Sequence, residues 1–597
     1  MDYFLNKFSK IKKGKTMNLL YLNIINNTVD AGGKPGSGYS NDEIYLTVQG
    51  KINKVYNYLD WETGNFKEMS ANDNVVELNY LGLPQDIKYA DYFMKLSDII
   101  KLGWVKNGNI QIPVPVEGGR AYISFNKPVY LHVNAGPSPA EPNDDSTSDP
   151  NYSTVWDKFE FTVAQTNAAN EPVKFTLWSN TTCVDFVGIP MVYNLSKGGK
   201  VIDTVGFNIP EANKKDPFTY IAQELKTDDS FKNLVGDFRI YAPKVTSNGF
   251  NPNFGEKGNY LKDYIDYCWK LYSDNQTAIT LWNYVDITKA ENGSLKDDTQ
   301  GKGVKWTALG KINNNILTFE LIELLCSDGT KLQLPGVLDF TIPLPSTYDT
   351  FRQGGVFTKD DTLHTETYTQ AIDGDIKNQV STALNRCVMH DKFEGPSDPN
   401  VKDSPKSWWA DISKFYLQNN LPVDVFKTNN YSKYMHEKSI DNKCYALAYD
   451  DKYSQNVNIS ETIDETETVM NVELYSQKKE PVVYPAWSPK KQDDPNVQVG
   501  IDPDNSNNEN AAVVWLKSSV SLDYVYLLYK DKNSLQPESY SASQMIKNGE
   551  RYELKFLPPS VLNPFCFYFK YRETGKQAET LVPSDAIGNK NVYDYKH

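Results

Sequence analysis

Through most of the first 195 positions, apolar residues alternate with polar ones at a period of two. Residues 43–48 (EIYLTV), 120–125 (RAYISF), 129–133 (VYLHV) and 158–163 (KFEFTV) follow that rhythm, and the turn-rich stretches between them predict short β-strands. Residues 135–151, rich in Pro, Asp and Ser, read as a long loop. The period then lengthens. Asp216 and Pro217 supply an N-cap and a first-turn proline, and Phe218, Ile221, Ala222 and Leu225 follow at helical spacing. Leu261, Tyr264, Ile265, Cys268 and Tyr272 repeat the pattern, as do Ile376, Val380, Ala383, Leu384 and Cys387, with a shorter run from Trp408 through Ile412 to Phe415. Strands at 237–241 and 315–322 fall between these helices, so an α/β region follows the β block. Residues 482–510, dense in Pro, Asp, Asn and Lys, have the composition of a linker. Beyond them, 512–516, 523–529, 551–556 and 566–571 alternate again with almost no helix signal, which predicts a small β-sandwich.

The expected fold class is therefore mostly β with an α/β part. Its expected divisions are 17–195, 196–330 and 331–480, then a linker at 481–510 and a C-terminal β-sandwich at 511–597. A chain of 597 residues is too long for one core. Its 62 Lys plus Arg against 76 Asp plus Glu give −14, without a basic block interleaved with aromatics, which argues against a nucleic-acid partner. No run approaches the roughly 20 apolar residues of a spanning helix, so no membrane-embedded segment is expected. Residues 1–24 are basic with only a short apolar patch and no small-residue cleavage site, unlike a standard secretory signal, and Met17 is an alternative start. The six cysteines lack metal-ligand spacing and are expected to be free thiols, with no metal and no cofactor.

Five histidines, none at ligand spacing, support neither a metal centre nor a Ser-His-Asp triad, and no nucleophile elbow or phosphate-binding loop is present. Carboxylate chemistry remains. In residues 159–163 (FEFTV) the apolar side chains share one face, leaving Glu160 and Thr162 on the other, and alternation through 181–186 sets Asp185 opposite Val184 and Phe186. Two carboxylates on neighbouring strands could supply the acid and base of glycoside hydrolysis, although ordinary solvent-facing strand positions show the same pattern.

Beyond the pattern, residues 119–124 (GRAYIS), 148–152 (SDPNY), 156–162 (WDKFEFT), 180–190 (NTTCVDFVGIP), 242–245 (APKV), 264–267 (YIDY), 346–349 (STYD), 383–386 (ALNR), 430–437 (NYSKYMHE) and 445–451 (YALAYDD) occur in an order and spacing that resembles glycoside hydrolase family 64. These are β-1,3-glucanases that release laminaripentaose, and the likeness runs over about residues 18–455. The resemblance implies a thaumatin-like β-barrel or sandwich and a mixed α/β domain forming a groove. It also implies hydrolysis of β-1,3-glucan by an inverting mechanism, with Glu160 as general acid and Asp185 as general base, and release of short oligosaccharides. Thr162, Asn180 and Thr182 flank the pair as candidate substrate contacts. His436 and Glu437 lie in a matching segment, as substrate contacts or as structure. The implied partner is the polysaccharide, the chain is expected to be a monomer, and the substrate suggests an extracellular location despite the missing signal. The sequence departs from the family in a longer connection at 164–178, in Cys183 where Gln is usual, and in residues 351–355 (FRQGG), so that a usual disulfide is expected to be missing. The C-terminal module is similar to β-glucan-binding sandwiches through Tyr524, Tyr526 and the run Phe567, Tyr568 and Phe569. A non-hydrolytic glucan-binding or toxin-like protein on the same scaffold is the alternative reading.

Overall fold

A computed structural model describes residues 20–595 apart from isolated positions and the segments 82–86, 167–173, 245–252, 290–294, 298–302, 335–338, 359–366, 391–413, 451–457, 477–493, 505–510, 532–540, 557–564 and 583–592. Strands account for 44% and helices for 18%, so sheets carry the fold. The chain forms two compact units. One comprises residues 1–27, 106–120 and 158–476, the other residues 28–105, 121–157 and 477–597.

In the first unit, one sheet runs in the order Lys200–Gly206, Met191–Lys197, Thr468–Leu474, Leu20–Asn26 and Ile110–Gln111. Its central pairing is parallel, with Leu20 opposite Thr468 and Asn26 opposite Leu474. Leu20, Leu22 and Ile24 bury one face of that pair, as the alternation of the segment dictates. Another run of strands has the order Ile459–Ile463, Phe175–Thr181, Val155–Gln165 and Val116–Phe125. Phe159, Phe161, Val163 and Leu177 point into the core, where Phe159 meets Tyr193 edge-on at 4.8 Å and the Tyr193 and Ser179 hydroxyls are 2.6 Å apart. The α/β region is an antiparallel sheet of Ile279–Val285, Val304–Asn313, Ile316–Leu325 and Asp339–Pro343, against which the helices Lys262–Asn275 and Thr367–Asn385 pack. Trp306, Phe319, Ile265, Trp269, Val380 and Leu384 share its core. The helix Pro217–Thr227 begins as the sequence predicts, with Asp216 accepting from the Thr219 N–H and proline in its first turn.

In the second unit, Ile44–Ile52, Val55–Asp60 and Asn65–Glu68 form an antiparallel meander. The C-terminal part is a sandwich. One sheet is centred on Ala511–Ser518 and Arg551–Phe556, the other on Leu522–Asp531 and Phe565–Glu573, and Val499, Val514, Leu516, Val525, Leu527, Phe567 and Phe569 fill the core between them.

Four expectations change. Among the described residues no sheet closes on itself, so the barrel implied by the resemblance is not seen and the sheets remain open. Residues 129–133 are strand only at His132–Val133, because the Asn151 amide takes the place of a strand partner: it accepts from the Tyr130 N–H at 2.7 Å and donates to the Tyr130 carbonyl at 2.9 Å. Residues 237–241 are strand only at Ile240–Tyr241. Val497–Asp504, inside the stretch read as a linker, is a strand paired with Ala511–Ser518, since Val497, Val499 and Ile501 alternate into the sandwich core beneath a polar composition. The remainder of that stretch, the short helix expected near Trp408 and the N-terminal segment up to residue 19 lie outside the described residues. All cysteines whose side chains are described are free. Among the described residues no helix is long and apolar enough to cross a membrane.

Gly119 shows how tightly the strand beside Glu160 is laid down. A Cβ there would stand 2.7 Å from the Phe161 ring and 2.9 Å from the Phe161 carbonyl oxygen, closer than real side chains approach. Gly119→Ala is expected to cost about 1–3 kcal/mol in urea unfolding, with partial recovery in Gly119→Ala/Phe161→Leu, where the ring is removed.

Candidate active site

Along Val155–Gln165, Phe159, Phe161 and Val163 enter the core while Lys158, Glu160 and Thr162 share the other face. Antiparallel pairing with Phe175–Thr181 puts Asn180 opposite Glu160 and Trp178 opposite Thr162, so these four side chains project from one surface. From the other neighbouring strand, Arg120 Nε donates to Glu160 Oε1 at 3.1 Å, and the Gly118 N–H donates to Thr162 Oγ1 at 2.9 Å.

Asp185 arrives by a different route. The alternation expected through 181–186 breaks, because the strand ends at Thr181 and Thr182 makes only an isolated bridge to Tyr445. The Cys183 N–H donates to the Tyr445 carbonyl at 2.7 Å, and the Tyr431 hydroxyl donates to the Cys183 carbonyl at 2.6 Å, which draws the chain out of the sheet. Asp185 then lies on a bend just before the two-residue strand Phe186–Val187, and Val184 is only half-buried rather than in the core. The Ala242 N–H donates to the Asp185 carbonyl at 2.9 Å and fixes the backbone there.

This bend sets the Asp185 carboxylate against Lys158, whose Nζ is 2.7 Å from Oδ2, while Lys244 pairs with Oδ1. Burial alone would push the Asp185 titration up, but the charges and hydrogen bonds of Lys158 and Lys244 outweigh it and hold the carboxyl far below the usual carboxylate range. Lys158 is itself desolvated, yet Asp185 and then Glu160 keep it raised above an ordinary lysine, against the opposing charge of Arg120. The side chains form a row of alternating sign: Lys244, Asp185, Lys158, Glu160, Arg120. Asp185 and Glu160 keep 26% and 23% of their side-chain surface exposed, whereas Lys158 keeps 11%. Both carboxylates remain reachable, and the cation between them lies deepest.

The other candidates divide. Thr162 and Asn180 stand on the carboxylate surface. Asn180 donates to Asn458 Oδ1 at 2.6 Å, and its own Oδ1 is buried without a partner among the described residues. Thr182 is buried at the Tyr445 bridge. His436, on the helix Asn430–Glu437, is also buried: Nδ1 meets the Asn442 carbonyl at 2.8 Å and Nε2 meets Asp450 Oδ2 at 3.0 Å. Both of its ring nitrogens are thus engaged inside the protein. Burial would lower its pKa, but the charge and hydrogen bond of Asp450 outweigh it and raise it above the ordinary value. Asp450 accepts in turn from Arg386 Nη2 at 2.6 Å and from the N–H groups of Ala446 and Leu447, in a fully buried cluster. Glu437 is exposed and lies 4.0 Å from Lys433. Sequence reasoning missed Arg120, Lys158, Lys244 and Trp178. The parity of Lys158 with Glu160 was available from alternation, but the pairing partners of the other three were not.

The family profile for β-1,3-glucanases of glycoside hydrolase family 64 matches residues 22–474, well over half of the chain. The chain belongs to family 64. This family-64 protein is a β-1,3-glucanase, a hydrolase of β-1,3-glucan. No curated protein matches it. Among solved structures it is similar to a β-1,3-glucanase domain from Clostridium beijerinckii, at 24% identity over 76% of this chain and 98% of that one, with a TM-score of 0.52. It is also similar to a laminaripentaose-producing β-1,3-glucanase from Paenibacillus barengoltzii, at 19% identity over 78% of each chain and a TM-score of 0.44. A β-1,3-glucan binding domain of carbohydrate-binding module family 56 matches at 18% identity over 17% of this glucanase and 99% of that chain, with a TM-score of 0.13.

The Arg386–Asp450–His436 cluster makes a stability prediction for the glucanase. Asp450→Asn leaves the buried Arg386 without its counter-charge and His436 without its carboxylate partner, and is expected to cost about 3–5 kcal/mol in urea unfolding. A loss below about 1 kcal/mol would mean that the cluster is not an anchor.

Proposed function

We propose that the protein cleaves β-1,3-glucan with inversion of configuration, with Glu160 as general acid and Asp185 as general base, and releases short oligosaccharides. The observation that supports this reading is the pair of reachable carboxylates in one row of charged side chains, one of them clamped by two lysines. Asp185, clamped by Lys158 and Lys244, is held in its anionic form and can take a proton from water. Glu160 meets Arg120 at Oε1, which fixes the carboxyl plane and leaves Oε2 to carry the proton for the departing glycosidic oxygen. Thr162 and Asn180 supply polar contacts beside the acid, Trp178 offers an aromatic face to a sugar ring, and Thr182 shapes the turn toward Asp185.

The C-terminal sandwich completes the proposal as a glucan tether. Tyr524 and Tyr526 project outward from a strand whose Val525 and Leu527 are buried, and their rings meet edge to face at 5.4 Å. Arg572 and Lys570 lie against them at 4.8 and 5.8 Å. A groove of about 720 Å³ lined by Asp523, Tyr524, Ser543, Gln544 and Lys547 adjoins the pair. Phe567 and Phe569, read from the sequence as exposed aromatics, are instead core residues, and only Tyr568 of that run faces outward.

Glu160→Gln and Asp185→Asn are each expected to lower reducing-end release from laminarin about 10²–10⁴-fold while glucan binding persists. Proton NMR of the first product should show the α-anomer; a β-anomer at early time would overturn inversion. For the tether, Tyr524→Ala/Tyr526→Ala in the full chain should reduce hydrolysis of insoluble curdlan about 10-fold and leave hydrolysis of soluble laminarihexaose unchanged. An unaltered ratio between the two substrates would remove those tyrosines from the tether.

A further inference from the structure

The alternating row of charges contains one member that neither an acid nor a base role explains. Lys158 is the least exposed of the five, sits 2.7 Å from Asp185, and stands one pleat repeat, about 6.6–7 Å, from Glu160 on the same face of the same strand. Inverting hydrolysis moves negative charge between these two carboxylates. As water attacks the anomeric carbon, its proton goes to Asp185. The glycosidic carbon–oxygen bond breaks, and the leaving oxygen takes the proton of Glu160. The pair begins with charge on Asp185 and ends with charge on Glu160, unchanged in sum.

We propose that Lys158 is the shared counter-ion of this reaction, a positioning residue that pairs with Asp185 before proton transfer and with Glu160 after it. The inference rests on the acid and base roles given above. A four-carbon stem with three rotatable donors can turn between two carboxylates on either side, which a planar guanidinium fixed to one of them cannot do. Arg120 meets Glu160, and Lys244 meets Asp185. The charged and titratable groups around Asp185 are Lys158 and Glu160 from the central strand, Arg120 from its neighbour and Lys244 from the turn after Ile240–Tyr241. Tyr431 and Arg239 lie against the adjoining residues Cys183 and Phe186.

The sign of the pH effect follows. Because the folded Asp185 titrates below its unfolded value, its pairing adds stability that is present above about pH 3.9 and is lost as pH falls toward the folded value. Activity needs the anion, so removing one cation moves the acidic limb of the rate profile upward.

The test measures kcat and KM on laminarin across pH for Lys158→Met, Lys158→Arg and Lys244→Met in the full chain. Lys158→Met is expected to move the acidic limb up by about one unit or more and to lower kcat about 10–100-fold with KM within about 3-fold. Lys244→Met should move the limb with a smaller loss of kcat, because it serves only Asp185. Lys158→Arg, which keeps the charge and guards against a variant that fails to fold, should hold the limb in place. An unmoved limb in a folded Lys158→Met, or equal kcat losses in Lys158→Met and Lys244→Met, would overturn the shared role. Full activity in Glu160→Gln or Asp185→Asn would instead overturn the reading of the site beneath it.

Discussion

Glu160 stands opposite Asn180 across an antiparallel strand pair, and that register decides what the first unit can do. Side chains alternate between faces, so the pairing sends Phe159, Phe161 and Leu177 into the core and gathers Lys158, Glu160, Thr162, Trp178 and Asn180 on the other side. A slip of one residue would bury the charges and expose the phenylalanines. The apolar face thus holds the charged face in place. Gly119, closed in by the Phe161 ring, lets Arg120 approach Glu160 from the adjoining strand.

The second carboxylate depends on a different constraint. Asp185 is presented by a bend, and the bend exists because Tyr445 and Tyr431 capture the backbone at Cys183. Those residues are in turn held by the helix Asn430–Glu437 and by the buried cluster of Arg386, Asp450 and His436. Buried ions are costly unless every partner is present. Here Asp450 meets a guanidinium, an imidazole ring and two backbone N–H groups, so the turn it closes is well defined and the tyrosine beside it is fixed.

Much of this could be read before any coordinates. The strand around Glu160 follows directly from alternation and the helix after Asp216 from spacing and its cap, and the helices after Leu261 and near Ile376 from their apolar spacing, although the last also buries Asp373, Asp375, Lys377 and Gln379. The strand Val497–Asp504 was hidden because the residues that alternate with Val497, Val499 and Ile501 are Gln498, Gly500 and Asp502, and composition averages over both faces. The short strand at His132–Val133 was overestimated because a distant Asn151 amide satisfies the backbone that a sheet would otherwise need. At the site, Glu160 and Thr162 were placed by alternation alone. The position of Asp185 was not, since alternation fails where the chain turns, and Lys244 reaches it from about sixty residues further on. His436 lies in a segment that matches the family, and its ring nitrogens meet Asp450 and the Asn442 carbonyl inside the protein, which its spacing in the sequence did not reveal.

The parallel pairing of Leu20–Asn26 with Thr468–Leu474 also bears on how the chain is made. A strand near the beginning waits for a partner more than four hundred residues later, and until that partner leaves the ribosome its neighbour in the sheet, among the described residues, is the two-residue Ile110–Gln111. Loop closure over such a distance is slow, and an unpaired apolar edge invites pairing with other chains. The nascent protein therefore carries an adhesive margin through most of its synthesis, and the sheet can be completed only after the whole α/β region has been made.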